Sequence, residues 1–127
     1  SMITAKGAYC ANEQGKYWPY AHWIYSNQVS ENQGDFNTER VTQIAVAAGV
    51  EEQAFSGCLA SEAALTHVAE TTSKALGLGI NSTPTMYIGG QQIVGLKGIA
   101  ELSALIDAEL AKATGAPAAW PSASTNP

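Results

Sequence analysis

The sequence predicts a mostly helical α/β fold in which five helices precede a two-stranded β-hairpin and one closing helix. Three observations predict it. Apolar residues recur at helical spacing through roughly residues 3 to 76. The period then changes at Thr85-Met86-Tyr87-Ile88, where β-prone residues run into Gly89-Gly90 and return through Gln91 to Val94, a hairpin signal. Last, Ile99, Leu102, Ile106 and Leu110 form an amphipathic stripe suited to one face of a sheet. The chain therefore divides into a helical part over 3–78, a ββα part over 79–113 and a flexible tail over 114–127.

The first helix runs from about Ile3 to Glu13 and stops at Gly15, with Ile3, Ala8 and Cys10 turned inward. A second starts near Trp18-Pro19, since proline is tolerated in the first helical turn. Its rings (Tyr17, Trp18, Tyr20, Trp23 and Tyr25) are expected in the core, with a peptide- or cofactor-binding groove as the other reading. Ser26 to Phe36 reads as loop. Asn37 or Thr38 caps a third helix carrying Val41, Ile44, Ala45 and Ala48, and Gly49 ends it. Glu51 to Leu59 forms a short helix with Phe55 and Leu59 on one face. Ser61 caps the fifth, whose Leu65, Val68, Thr72 and Leu76 follow the helical period. The tail is rich in Pro, Ala and Ser, with Trp120 as its only large apolar residue, so it is disordered or strapped down by that ring.

Composition removes several classes of function. A net charge of −5, with six scattered Lys and Arg, argues against a nucleic-acid surface. No run of apolar residues is long enough for a membrane span. His22 and His67 lack ligand spacing, the cysteines do not supply it, and neither a metal nor a cofactor is expected. The carboxylates Glu51, Glu52, Glu62 and Glu70 read as solvated helix faces, and Asn81-Ser82-Thr83 as a turn.

Four stretches carry a family resemblance. Gly15-Lys16-Tyr17-Trp18, followed by Ser26-Asn27-Gln28, resembles the GKFW…ANQ signature of DsbA-like thiol-disulfide oxidoreductases. Ala48-Gly49-Val50 with Phe55, Cys58 and Leu59 is similar to a second family stretch. Gly79 to Gly90, with Thr83-Pro84-Thr85 inside it, looks like the family's Thr-Pro segment, and Gly95-Leu96-Lys97-Gly98 resembles its ending. The match covers roughly residues 3 to 112 and implies a partial thioredoxin-like fold: a helical insert followed by the C-terminal hairpin and helix. Kappa-class glutathione transferases and hydroxychromene-carboxylate isomerases share the fold, but they resemble Val-Pro at the Thr-Pro position.

The departure from the family is as informative. Its members open with a strand, a Cys-x-x-Cys motif and another strand before the helical insert. Here Cys10 and Cys58 are the only cysteines and lie far apart, so no Cys-x-x-Cys exists and no residue is assigned a catalytic role. By resemblance, Pro84 is the cis proline beside the redox site, and Thr83 offers its backbone to a substrate peptide as an added strand. Cys10 and Cys58 are expected to pair in a structural disulfide. A regulatory redox pair and two free buried thiols remain open.

The functional expectation follows. The parent protein is an exported, periplasmic or extracytoplasmic oxidoreductase acting on protein thiols, and this chain is its redox-inactive substrate-side part. Two rivals stand beside it: a redox-inactive module binding a protein or peptide, and a glutathione-using enzyme of the same fold. Without covering strands, the sheet face is expected to form a homodimer.

Overall fold

The computed structural model of the chain describes residues 2–30 and 33–114. In chain order these form α1 (Met2–Glu13), α2 (Tyr17–Ser26), α3 (Thr38–Ala47), α4 (Glu52–Leu59), α5 (Glu62–Gly77), β1 (Thr85–Ile88), β2 (Gln91–Val94) and α6 (Ile99–Thr114). They fall into two compact units divided between Gly77 and Leu78. The last helix runs on to Thr114, where the sequence reading begins its tail, and the expectations for the tail and Trp120 lie outside the described residues.

The helical unit is built around α1, which packs on all four other helices. It can do so because its inward positions are small: Gly7, Cys10 and Ala11 are buried and let neighbouring backbones approach. Tyr20, Val41 and Phe55 fill the centre and are almost wholly enclosed. The Tyr20 and Phe55 rings sit 6.0 Å apart at a 47° tilt, within the range of favourable aromatic pairs. A buried hydroxyl needs a partner, and Tyr20 donates to the Thr4 carbonyl at 3.1 Å. Burial pushes the Tyr20 hydroxyl well above its ordinary pKa.

The helix starts are set by side chains that accept otherwise unpaired N–H groups. Asn37 is extended and its Oδ1 accepts from the Arg40 N–H at 2.8 Å, so Asn37, not Thr38, caps α3. The Ser61 hydroxyl accepts from the Ala64 N–H at 3.3 Å. Gly15 ends α1 with φ +68 and lets the Lys16 N–H reach back to the Ala11 carbonyl at 2.8 Å.

Glu51 departs from expectation. It is no solvated helix-face residue but the cap of α4, its carboxylate accepting from the N–H groups of Gln53 at 3.1 Å and Ala54 at 2.7 Å. Gln14 clasps the same residue, accepting from its N–H at 2.7 Å and donating to its carbonyl at 3.3 Å. The two backbone bonds, Ala54 first, hold the Glu51 carboxyl below the ordinary glutamate pKa. A group depressed in the folded state stabilises at neutral pH, and that stabilisation is lost as pH falls through its folded pKa. In an NMR titration the Gln53 and Ala54 amides are therefore expected to shift together, with a midpoint below that of a free glutamate. Glu51→Gln should abolish that shared transition.

One packing expectation is overturned. Only Tyr20 among the rings of α2 is core: Trp18 and Tyr25 are 78% and 72% exposed, and Tyr17 and Trp23 are partly exposed. Tyr20 and Ile24, four residues apart, occupy the inward stripe, which turns Trp18 and Tyr25 to the opposite side. In α5 the buried residue is Ala64, while Leu65 and Leu76 stand in solvent. The close crossing of α5 with the small-residue face of α1 selects an alanine, and Leu65 lies one position around the helix.

The second unit is a hairpin with one helix. β1 and β2 pair antiparallel in the register Thr85↔Val94, Met86↔Ile93, Tyr87↔Gln92 and Ile88↔Gln91. Gly89 and Gly90 make the two-residue turn with φ of +56 and +83, a combination that side chains resist and glycine permits. Met86 and Ile93 share a face, Ile93 is buried there, and α6 packs against β1. Leu102, Ile106 and Leu110 are half-buried as their stripe predicts, whereas Ile99 at the helix start is 85% exposed. The mostly helical chain with its two-stranded sheet is a partial thioredoxin-like fold.

Candidate functional site

The site the sequence singles out, Thr83 and Pro84, lies on the exposed turn that leads into β1, and both residues face solvent. The Thr83–Pro84 peptide bond is cis. The turn is held at several points. The Pro84 carbonyl accepts from the Gly95 N–H at 2.9 Å, extending the hairpin ladder by one pair. The Thr85 hydroxyl donates to the Ser82 carbonyl at 2.7 Å. The Tyr87 hydroxyl donates to the Leu78 carbonyl at 3.1 Å, tying the strand to the start of the unit.

The ladder also fixes which backbone groups point outward. In an antiparallel pair the hydrogen-bonding residues alternate along each strand. Since Pro84 bonds to Gly95, the residues of β1 turned toward β2 are Met86 and Ile88. Thr85 and Tyr87 therefore direct their N–H and C=O groups away from β2. Among the described residues no third strand pairs with that edge. Chemically, such an edge can take an extended chain as a further strand.

Cys10 of α1 and Cys58 of α4 form a disulfide, with Cα atoms 5.7 Å apart. Cys10 is buried and Cys58 packs half-buried against the same core, so the cross-link belongs to the interior of the helical unit. Thr83 and Pro84 belong to the other unit. The sequence-predicted residues thus fall one pair to each unit, a cross-link in the helical unit and an exposed turn in the other.

His22 is exposed, and His67 stacks on Tyr9 with ring centroids 4.6 Å apart and a 30° interplanar angle. That stack joins α1 to α5 and was invisible in the sequence, since no spacing rule links residues 9 and 67. No group of three or more His, Cys, Asp or Glu side chains converges as a metal site among the described residues. Among them, no helix is long and apolar enough to cross a membrane.

Comparisons with known proteins bear on the fold. Among curated proteins the chain is similar to the Na(+)/H(+) antiporter NhaA of Herminiimonas arsenicoxydans, 24% identical over 106 residues. That match covers 84% of this chain but 16% of the antiporter, so the chain spans a small fraction of its relative. No solved structure matches. The sequence profile of the family described as Thioredoxin matches residues 1–108, helical unit and hairpin together, and the chain belongs to that family.

Proposed function

We propose that the chain is the helical insert and C-terminal ββα part of a DsbA-like thiol-disulfide oxidoreductase that acts on protein thiols outside the cytoplasm. Thr83 and Pro84 are its substrate-side segment. The observation that carries this reading is the exposed Thr83–Pro84 turn, held at the mouth of the hairpin by the Gly95 N–H bond to the Pro84 carbonyl, while the open β1 edge beside it is where the family's further strands would pair. A substrate peptide paired with the Thr83 backbone would bring a cysteine beside Pro84, where the family holds its redox pair. The chain itself contains only the two cysteines of the Cys10–Cys58 cross-link, so dithiol exchange requires a Cys-x-x-Cys supplied from outside it.

The test is the reading frame upstream of Ile3, followed by assay of the protein it encodes. A Cys-x-x-Cys between two strands is expected, and oxidation of a dithiol peptide should require it. Thr83→Pro removes a backbone N–H at the substrate edge and should lower kcat/KM about tenfold, the worth of one buried hydrogen bond. An upstream frame without that motif, or full turnover by the Thr83→Pro variant, would sink the proposal.

The antiporter match favours a second reading, in which the chain is one domain of a longer polypeptide that also carries a membrane transporter. Membrane-spanning segments in the same frame would establish it, and their absence would dismiss it. Under either reading the isolated chain leaves Tyr87, Val94, Leu96 and Ile99 exposed around a two-stranded sheet. Sheets this small rarely stand alone, so the isolated chain is expected to dimerise through the β1 edge. Light scattering that returns a monomer would contradict this.

A further inference from the structure

A groove between α1 and α5 lies wholly within the helical unit and plays no part in the reading above. It measures about 580 Å³, with Ala5 and Ala8 on its α1 side, Tyr9 stacked on His67 across it, Glu13 at the end of α1 and Tyr17 at the start of α2. We propose that this groove binds an extended polypeptide segment through an arginine side chain, the guanidinium lying against Tyr9 and Tyr17 beside the Glu13 carboxylate.

The walls argue for an apolar stem with a cationic tip. Thr71 and Thr72 on the α5 side turn their hydroxyls back to their own helix, donating to the His67 carbonyl at 2.9 Å and the Val68 carbonyl at 2.7 Å. Their donors are thus spent within α5, which otherwise offers the groove Val68 and the His67 ring, while Asn12 adds one amide on the α1 side. Among the described residues Glu13 is the one charged residue lining the groove, and the chain as a whole is acidic. Lys16, the nearest cation in sequence, points elsewhere, its ammonium lying 3.8 Å from where a Cβ on Gly49 would stand. Tyr17 is braced from the side by Trp18, with centroids 5.0 Å apart at 80°.

Shape selects a polypeptide over a small free cation. From Ala5 to Glu13 the groove follows about 12 Å of helix, the length of three to four extended residues. Geometry selects arginine over lysine, because a planar guanidinium stacks on aromatic faces and matches a carboxylate with two parallel donors.

The test is an NMR titration of the full chain with a blocked leucine-arginine-leucine peptide and its citrulline counterpart, which keeps the shape and loses the charge. The arginine peptide should perturb Tyr9, Glu13, Tyr17 and His67, and the citrulline peptide should bind roughly three- to fivefold more weakly. Glu13→Gln should reduce the arginine peptide toward the citrulline value and leave citrulline binding unchanged. Tyr17→Leu should narrow the same gap. Equal affinity for the two peptides, perturbations confined to Thr83, Thr85 and Tyr87, or no binding would each overturn the inference. The second of those outcomes would leave the substrate-edge reading standing, so the two proposals fail separately.

Discussion

Reducing the Cys10–Cys58 disulfide is expected to destabilise the helical unit by about 4 kcal/mol. The two residues lie 48 positions apart, and closing a loop of that length removes conformational freedom from the unfolded chain by that amount on the chain-entropy model. The native side of the balance changes little, because both residues are already fixed in a packed core with Phe55 and Leu59 beside Cys58 in α4. A unit of this size holds only a few kcal/mol of net stability, so the cross-link is a large share of it. Thermal melts with and without dithiothreitol should differ by roughly 15–30 °C, using the usual shift per kcal/mol for a domain under a hundred residues. Cys10→Ala with Cys58→Ala should reproduce the reduced curve. A difference of only a few degrees would mean that the reduced unfolded chain retains compact structure across this loop. The same experiment separates structural from redox roles: a structural bond resists glutathione buffers that poise a catalytic pair.

The parts of the fold that were legible in the sequence are those governed by local chemistry. Asn37 before the third helix, Ser61 before the fifth, Gly15 after the first and Gly89-Gly90 between β-prone runs each follow from what one residue can do to its own neighbours. Side-chain burial was less legible, because it depends on which helices meet. In α2 six of ten positions carry a large ring or an isoleucine, spread around the helix, so the sequence shows little contrast between faces. Only contact with α1 and α3 decides that Tyr20 and Ile24 go inward. In α5 the leucine stripe is the stronger periodic signal, yet the neighbour is a small-residue surface that takes Ala64. The candidate site divides in the same way. Thr83 and Pro84 could be named from motif resemblance, and the backbone direction of Thr85 and Tyr87 required the register. Glu51 stood directly before the helix that carries Phe55 and Leu59, a position where a capping carboxylate could have been anticipated. The Tyr9–His67 stack had no signal of that kind.

Gly7→Ala is expected to cost about 3 kcal/mol, the upper end of the range for overpacked cores. On propensity alone the change should help, since glycine inside a helix is about 1 kcal/mol worse than alanine. Space reverses the sign. A Cβ on Gly7 would overlap the Tyr20 hydroxyl and stand 2.8 Å from Tyr20 Cζ and 3.1 Å from Val41 Cγ1. None of these atoms can yield cheaply. The Tyr20 ring is enclosed against Phe55, its hydroxyl is committed to the Thr4 carbonyl one turn before Gly7, and Val41 is fully buried. Relief would require α1 to move away from α2 and α3, loosening the small-residue face on which the unit is assembled. Tyr20→Phe removes the hydroxyl and its hydrogen bond, so alone it should cost about 1 kcal/mol. In the Gly7→Ala, Tyr20→Phe double variant the worst overlap disappears while that with Cζ persists. Urea denaturation should therefore give a double variant more stable than the sum of the two single losses, with a favourable coupling above 1 kcal/mol, as expected for residues in direct contact. Strict additivity would show that α1 shifts as a body and that Gly7 sets the helix spacing by its backbone alone.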